Sequence, residues 1–270
     1  MGPMSELGGL LDRALAGGDA EPVRAELVEH SGLPGARLNL RLVRAFAGAV
    51  GELVLRPDAP VEALEALLDG WAALPEDQAP GDRPEVILPC AAVAAYGEVG
   101  AVRPDWWDDE VAKLRAAAGD RRWRVREVMA QALQRLLDAD WERTVPVLLD
   151  WARADDPLVV RAAAAAVAEP PLLRPEHRWA SATQVQRVAV DRLREYPGEA
   201  RRTPEVRVLR QALGFTVSVV VAATGDFTLL EDMAASSDAD LRWAARENLK
   251  RARLHCWPTD LDRVRSLLGA

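Results

Sequence analysis

Phenylalanine and tyrosine are scarce in this 270-residue chain, with three and two copies. No stretch alternates Val, Ile or Thr with polar residues. The usual material of β-sheets is therefore missing, which leaves an all-helical fold as the expectation. No uninterrupted apolar run approaches the roughly 18 residues of a membrane span, and no charged-then-apolar leader opens the chain. The expectation is a cytosolic protein with no membrane partner. Cysteine occurs twice, at Cys90 and Cys256, too far apart in sequence and too few to suggest a disulfide scaffold. His30, His177 and His255 are scattered, and no Cys/His spacing suggests zinc. Neither a metal nor a cofactor is expected. A phosphate-cradling glycine loop, a Gly-x-Ser-x-Gly turn and the kinase and dinucleotide signatures are all missing. His255 and Cys256 are adjacent in sequence, whereas a nucleophile and its base must meet in space.

What is present is apolar content of 49%, ample for a core, with alanine runs such as residues 162–166. The charge is uneven. Residues 1–100 hold 16 acidic and 7 basic residues, and the remaining 170 hold 26 and 27. The net −8 is thus a property of the acidic N-terminal helices. A pI near 5.1 is unlike a typical nucleic-acid binder, although an average can conceal a local basic face.

Periodicity and breakers give helices over residues 5–16, 21–29, 38–55, 61–74, 85–98, 105–118, 119–137, 141–152, 158–169, 181–195, 205–223, 227–235, 239–253 and 261–268, with residues 1–4 loose. The stretch 119–137 has the clearest pattern. Met129, Ala132, Leu133 and Leu136 lie within about 80° of Val125 on a helical wheel, and Asp120 stands where a capping acceptor is wanted. That stretch is the expected centre of the fold.

An apolar-Arg dipeptide recurs at Val125-Arg126, Val160-Arg161, Val206-Arg207 and Leu241-Arg242, with the arginines 35, 46 and 35 residues apart. The middle interval needs an insertion, placed at residues 170–180. Asp120, Asp156 and Asp238 precede three of the four. This resembles the HEAT-repeat (armadillo-type) family, most closely in Asp156-Pro157-Leu-Val-Val-Arg161-Ala-Ala-Ala. Ser31-Gly-Leu-Pro-Gly35, residues 122–127 and residues 242–250 are similar to bacterial HEAT-repeat proteins without an assigned activity. The resemblance covers about residues 31–253. It implies a right-handed α-solenoid of helix pairs over residues 1–270, with 1–100 as acidic N-terminal helices and 105–270 as core repeats. It further implies recognition of a macromolecular partner, first of all a protein, on the concave face without catalysis.

Several residues stand out as candidate binding groups. The repeated arginines, Arg126 among them beside Glu127, are expected either to form Asp–Arg ladders between repeats or to line a groove for an anionic partner. Arg210 shares a helix face with Val206, Leu209, Leu213 and Val217, so it needs an acceptor, for which Glu169 and Glu247 are the candidates. Asn248 likewise falls on an apolar face. Each is either a satisfied structural group or part of a ligand-binding centre. Nine tryptophans are an unusual number. Trp243 shares a wheel sector with Arg246 and Lys250, which suits a base- or phosphate-binding face or simple packing on the next repeat.

Trp106-Trp107-Asp108-Asp109, followed by Trp123-Arg-Val-Arg126, is locally similar to the HEAT-like alkylpurine DNA glycosylases, with the two motifs set closer together than in that family. The similarity implies an alternative function in repair of alkylated DNA. Asp108 or Asp109 would then be catalytic, Trp106 and Trp123 would flank the nucleotide, and DNA would be the partner. The same acidic residues also suit an ordinary helix N-terminus.

Overall fold

The computed structural model describes residues 3–269, which divide into two compact units that part between Ala139 and Asp140. Both units are helical, and no strand occurs among the described residues. Pro3 and Met4, expected to be loose, already belong to the first helix, while residues 1–2 lie outside the described residues.

The first unit contains α1 (Pro3–Gly17), α2 (Glu21–Glu29), α3 (Leu40–Val54), α4 (Val61–Ala72), α5 (Ile87–Val102), α6 (Trp107–Ala117) and α7 (Trp123–Ala139). Its central element is α5, not the stretch 119–137. Ile87, Leu88, Cys90, Val93, Tyr96 and Val99 point in different directions around α5, yet all are buried. A helix apolar on every side must be enclosed, and α5 packs against α3, α4, α6 and α7. At Gly97 an added Cβ would lie 2.7 Å from the Cα and carbonyl oxygen of Ala132, so only glycine lets α7 approach so closely. Next-but-one helices pack in succession, α1 on α3, α3 on α5 and α5 on α7.

Helix α7 starts four residues later than the wheel pattern suggests. Asp120 does not cap it. Its carboxylate takes the backbone N–H of Arg122 at 2.7 Å and pairs with the Arg122 guanidinium at 2.5 Å, which folds Gly119–Arg122 into a turn.

The second unit contains α8 (Trp141–Trp151), α9 (Pro157–Ala166), α10 (Trp179–Glu195), α11 (Pro204–Thr224), α12 (Thr228–Ala235), α13 (Ala239–Leu249) and α14 (Pro258–Gly269). Here α9 packs on α11 and α11 on α13, with α10 against both α9 and α11. Caps follow the sequence. Asp140, Asp156, Thr203 and Asp238 accept the first-turn N–H groups of α8, α9, α11 and α13. Gly225, at φ 69°, ends α11 in the left-handed region. Between α9 and α10, where the repeat spacing called for extra chain, two 3-10 turns occupy Pro170–Leu173 and Glu176–Arg178.

Two segments, Pro84–Val102 and Pro204–Thr224, are long and apolar enough to cross a membrane, contrary to the expectation of none. They coincide with the central helices α5 and α11, and 72% and 56% of their apolar windows is buried inside the protein. Packing within the first unit encloses most of the apolar surface of α5.

Candidate functional site

The side chains singled out in the sequence fall into separate surroundings. At the start of α6, Trp106 is half-buried beneath Arg103, whose guanidinium carbon lies 3.9 Å from the ring centroid. Arg103 is itself fixed by both oxygens of Asp105 and by the Val54 carbonyl at 2.8 Å. Trp107 is buried, and Asp108 and Asp109 are exposed in the first turn. The next residue behaves differently.

Glu110 is 3% exposed, on the same helix face as the buried Trp107 and Leu114. One carboxylate oxygen accepts from Lys113 at 3.1 Å, and the other, Oε2, is enclosed with no hydrogen-bond partner. Lys113 also reaches Glu65 of α4 at 3.1 Å, and nearby Tyr96 donates to Asp69 at 2.7 Å. Burial pushes the Glu110 carboxyl up to about 7, against the opposing pull of Lys113. This cluster of Glu65, Asp69, Tyr96, Glu110 and Lys113 is the principal titratable group of the first unit. The helical wheel of α6 could have revealed it, since Trp107, Glu110 and Leu114 follow the spacing of one buried stripe.

The arginines around α7 have structural duties. Arg122 is buried and donates to the carbonyls of Leu74 and Ala79 at 3.0 and 3.2 Å. Arg124, also buried, donates to Gly81 at 2.9 Å and stacks on Trp123 with 4.2 Å to the ring centroid. Arg126 donates to the carbonyls of Asp120 and Arg121. Trp123 is 49% exposed, and Glu127 is half-buried. Cys90 lies near enough to feel Arg122, Arg124, Asp120 and Glu127, but burial dominates and drives its thiol far above the ordinary range. It is an inert thiol in the core.

Arg242 repeats this behaviour in the second unit. It donates to the carbonyls of Ala234 and Leu268 at 3.1 and 2.6 Å, at the ends of α12 and α14, where a cation is favoured. Arg242 thus acts as an arginine-to-carbonyl staple, and Arg126 also donates to carbonyls. A planar head with several donors serves that purpose well.

A true Asp–Arg ladder does occur nearby. Arg210 pairs with Asp240 at 2.6 Å, not with Glu169 or Glu247. Arg201 joins Asp238 at 2.6 Å and Asp240 at 3.4 Å. The Arg210 side chain is 28% exposed, so it is half-buried where full burial was expected. It lies 4.6 Å from the Trp243 centroid. Trp243 packs onto α11, its ring within 3.2 Å of where a Gly214 Cβ would stand. Glu247 pairs with Lys250 at 2.5 Å, and Arg246 is exposed. Sequence reasoning missed Asp240 because it sits in the first turn of α13, where acidic residues are ordinary.

Asn248 is fully buried and every polar atom of its amide is used. It accepts from the Ser218 N–H and donates to the carbonyls of Leu213 and Ala244, all at 2.8 Å. A companion was not foreseen. Buried Gln186 of α10 donates to the Ala164 carbonyl of α9 at 2.7 Å and accepts from Thr216 of α11 at 2.9 Å. These amides fix helix register at the α9–α10–α11–α13 core.

The structure thus gathers Arg210, Trp243, Glu247 and Asn248 along the α11–α13 contact and leaves Glu169 and Arg246 outside it. Of the surface depressions, one of about 330 Å³ lies between α10 and α12. Its charges are matched internally, Arg187 with Asp232 at 2.9 Å and Arg194 with Asp191 at 3.0 Å. No group of three or more His, Cys, Asp or Glu side chains among the described residues could hold a metal ion. No protein-family model and no curated protein matches the chain.

Proposed function

We propose that this protein is a HEAT-like recognition scaffold, a right-handed α-solenoid of helix pairs that binds a protein partner in the cytosol and performs no reaction on it. The packing of next-but-one helices carries this reading. In a stack of helix pairs each repeat lays its first helix beside the first helix of its neighbour. The successions α1–α3–α5–α7 and α9–α11–α13 have that form within their units.

The surface supports recognition by aromatic anchors. Trp123 and Phe215 are large apolar side chains left exposed, and each is stacked by arginine. Exposed aromatics beside arginine are common centres of binding energy at protein interfaces. The alternative, a glycosylase acting on alkylated purines, loses much of its motive. Arg122 and Arg124, which flank Trp123 in the second of the two motifs behind it, are buried and hydrogen-bonded to carbonyls.

A photo-crosslinking amino acid placed at position 123 or 215, in the cells that make the protein, tests the proposal. A discrete protein adduct from either position, absent from a control at exposed Ala66, is the expected result. Adducts indistinguishable from those at the control from both positions would defeat it.

A further inference from the structure

Phe215 faces outward from the middle of α11 and is 38% exposed. The 3-10 turn that follows α13, Ala252–Leu254, packs on α11 and brings two arginines to this ring. The guanidinium carbons of Arg251 and Arg253 lie 5.1 and 4.6 Å from its centroid. Glu169, just after α9, is close enough to act electrostatically on Arg253.

These two arginines differ from the others described above. Arg103, Arg122, Arg201, Arg210 and Arg242 each spend their donors on carbonyls or carboxylates. Arg251 and Arg253 are also half-buried, yet among the described residues their side chains neither hydrogen-bond nor ion-pair. The Arg251 Nε is enclosed without a partner. Burial, then the like charge of Arg251, pulls Arg253 below the usual guanidinium range, and Glu169 only partly opposes this. Two partly desolvated cations on one ring repel each other, and an anion between them would reverse that cost.

We propose that Phe215, Arg251 and Arg253 form a docking site for an acidic peptide segment of the partner, with a carboxylate held by the two guanidiniums and its neighbouring apolar atoms laid on the Phe215 ring. This deepens the recognition reading and rests on it. A peptide is favoured over a nucleic acid on charge grounds. A nucleic acid gains affinity by neutralising a line of phosphates, whereas this site offers two cations on a chain of net charge −8. One or two carboxylates match that footprint.

The probe is a fluorescein-labelled hexaglutamate peptide, read by anisotropy with the full chain at low and high salt. The wild type should bind it, more weakly at high salt. The double variant Arg251→Ala/Arg253→Ala should bind about tenfold more weakly or worse. Phe215→Ala should weaken binding by a smaller factor, and Arg246→Ala, at an exposed arginine of α13, should leave it unchanged. Arg251→Lys/Arg253→Lys keeps both charges but loses the planar fork, so an intermediate loss is expected even if the alanine variant folds poorly.

Absence of binding by the wild type, equal binding by both double variants, or an equal loss on Arg246→Ala would overturn the site. Tighter binding of an oligothymidylate, with the same dependence on Arg251 and Arg253, would overturn the peptide assignment. Failure here alongside discrete crosslinks from position 123 would remove this site and leave the scaffold reading standing.

Discussion

Asp240 holds the Arg210 guanidinium at 2.6 Å while the same guanidinium lies 4.6 Å from the centre of the Trp243 ring. One side chain thus joins α11 to α13 twice, by charge and by stacking. Arg210→Ala removes both and should cost about 2 kcal/mol, whereas Arg210→Met keeps the packed stem and should cost about 1 kcal/mol. Asp240→Asn should fall between them, because Arg201 retains Asp238. Urea unfolding of the three variants checks the order. Equal losses for Met and Ala would mean that the ion pair, not the stem, dominates.

Gly97 and Gly70 make opposite predictions from one substitution. A Cβ at Gly97 meets the backbone of Ala132 at 2.7 Å, so Gly97→Ala must push α5 and α7 apart at a cost of about 3 kcal/mol. Gly70 lies within α4 with nothing within 4 Å of the added atom. Gly70→Ala should therefore stabilise by about 0.5–1 kcal/mol through helix propensity alone. Thermal melts of the pair settle whether the α5–α7 contact is as close as described.

Glu110 should make stability depend on pH near neutrality. Its folded carboxyl is raised to about 7 from an ordinary 4.5, so the folded protein keeps a proton that the unfolded chain has released. This contribution is fully present below about pH 4.5 and is lost as pH rises through about 7, a change of about 3 kcal/mol. Glu110→Gln should flatten that part of the stability profile and leave the variant more stable than wild type at pH 8. An unchanged profile between pH 5 and 8 would show that Glu110 is charged in the folded protein.

Asn248 closes the α11–α13 contact with two hydrogen bonds to α11, and a third ties its amide to Ala244 of its own helix. Asn248→Ala removes the side-chain acceptor of the Ser218 N–H and the amide bond to the Leu213 carbonyl and should cost about 3 kcal/mol. Asn248→Asp should be at least as costly, since a carboxylate cannot donate to those carbonyls. Chemical denaturation of both variants decides the point. A cost below about 1 kcal/mol for alanine would mean that water replaces the amide.

The helices were legible because their caps and breakers are local. Asp156, Thr203, Asp238 and Gly225 each act within a few residues of their own position. Which helix is central was less legible. The amphipathic α7 has the strongest wheel pattern because half of it faces solvent, whereas α5 is apolar on every side and shows little pattern. Side-chain partners were hardest to foresee. The wheel placed Arg210 and Asn248 inward, but their acceptors, Asp240 and the α11 backbone, depend on how two helices cross. Glu110 was readable from its spacing with Trp107 and Leu114, yet the acidic run beside it drew attention to Asp108 and Asp109. Arg251 and Arg253 were hidden because the helix expected over 239–253 ends at Leu249 and turns them onto Phe215.

Release of alkylated purines from methylated duplex DNA is the decisive measurement for recognition without catalysis. Release at the uncatalysed rate is expected for wild type, Asp108→Asn and Asp109→Asn alike, with no DNA retained at low salt. Release by the wild type that disappears in either asparagine variant would contradict it and install the exposed first turn of α6 as an active site.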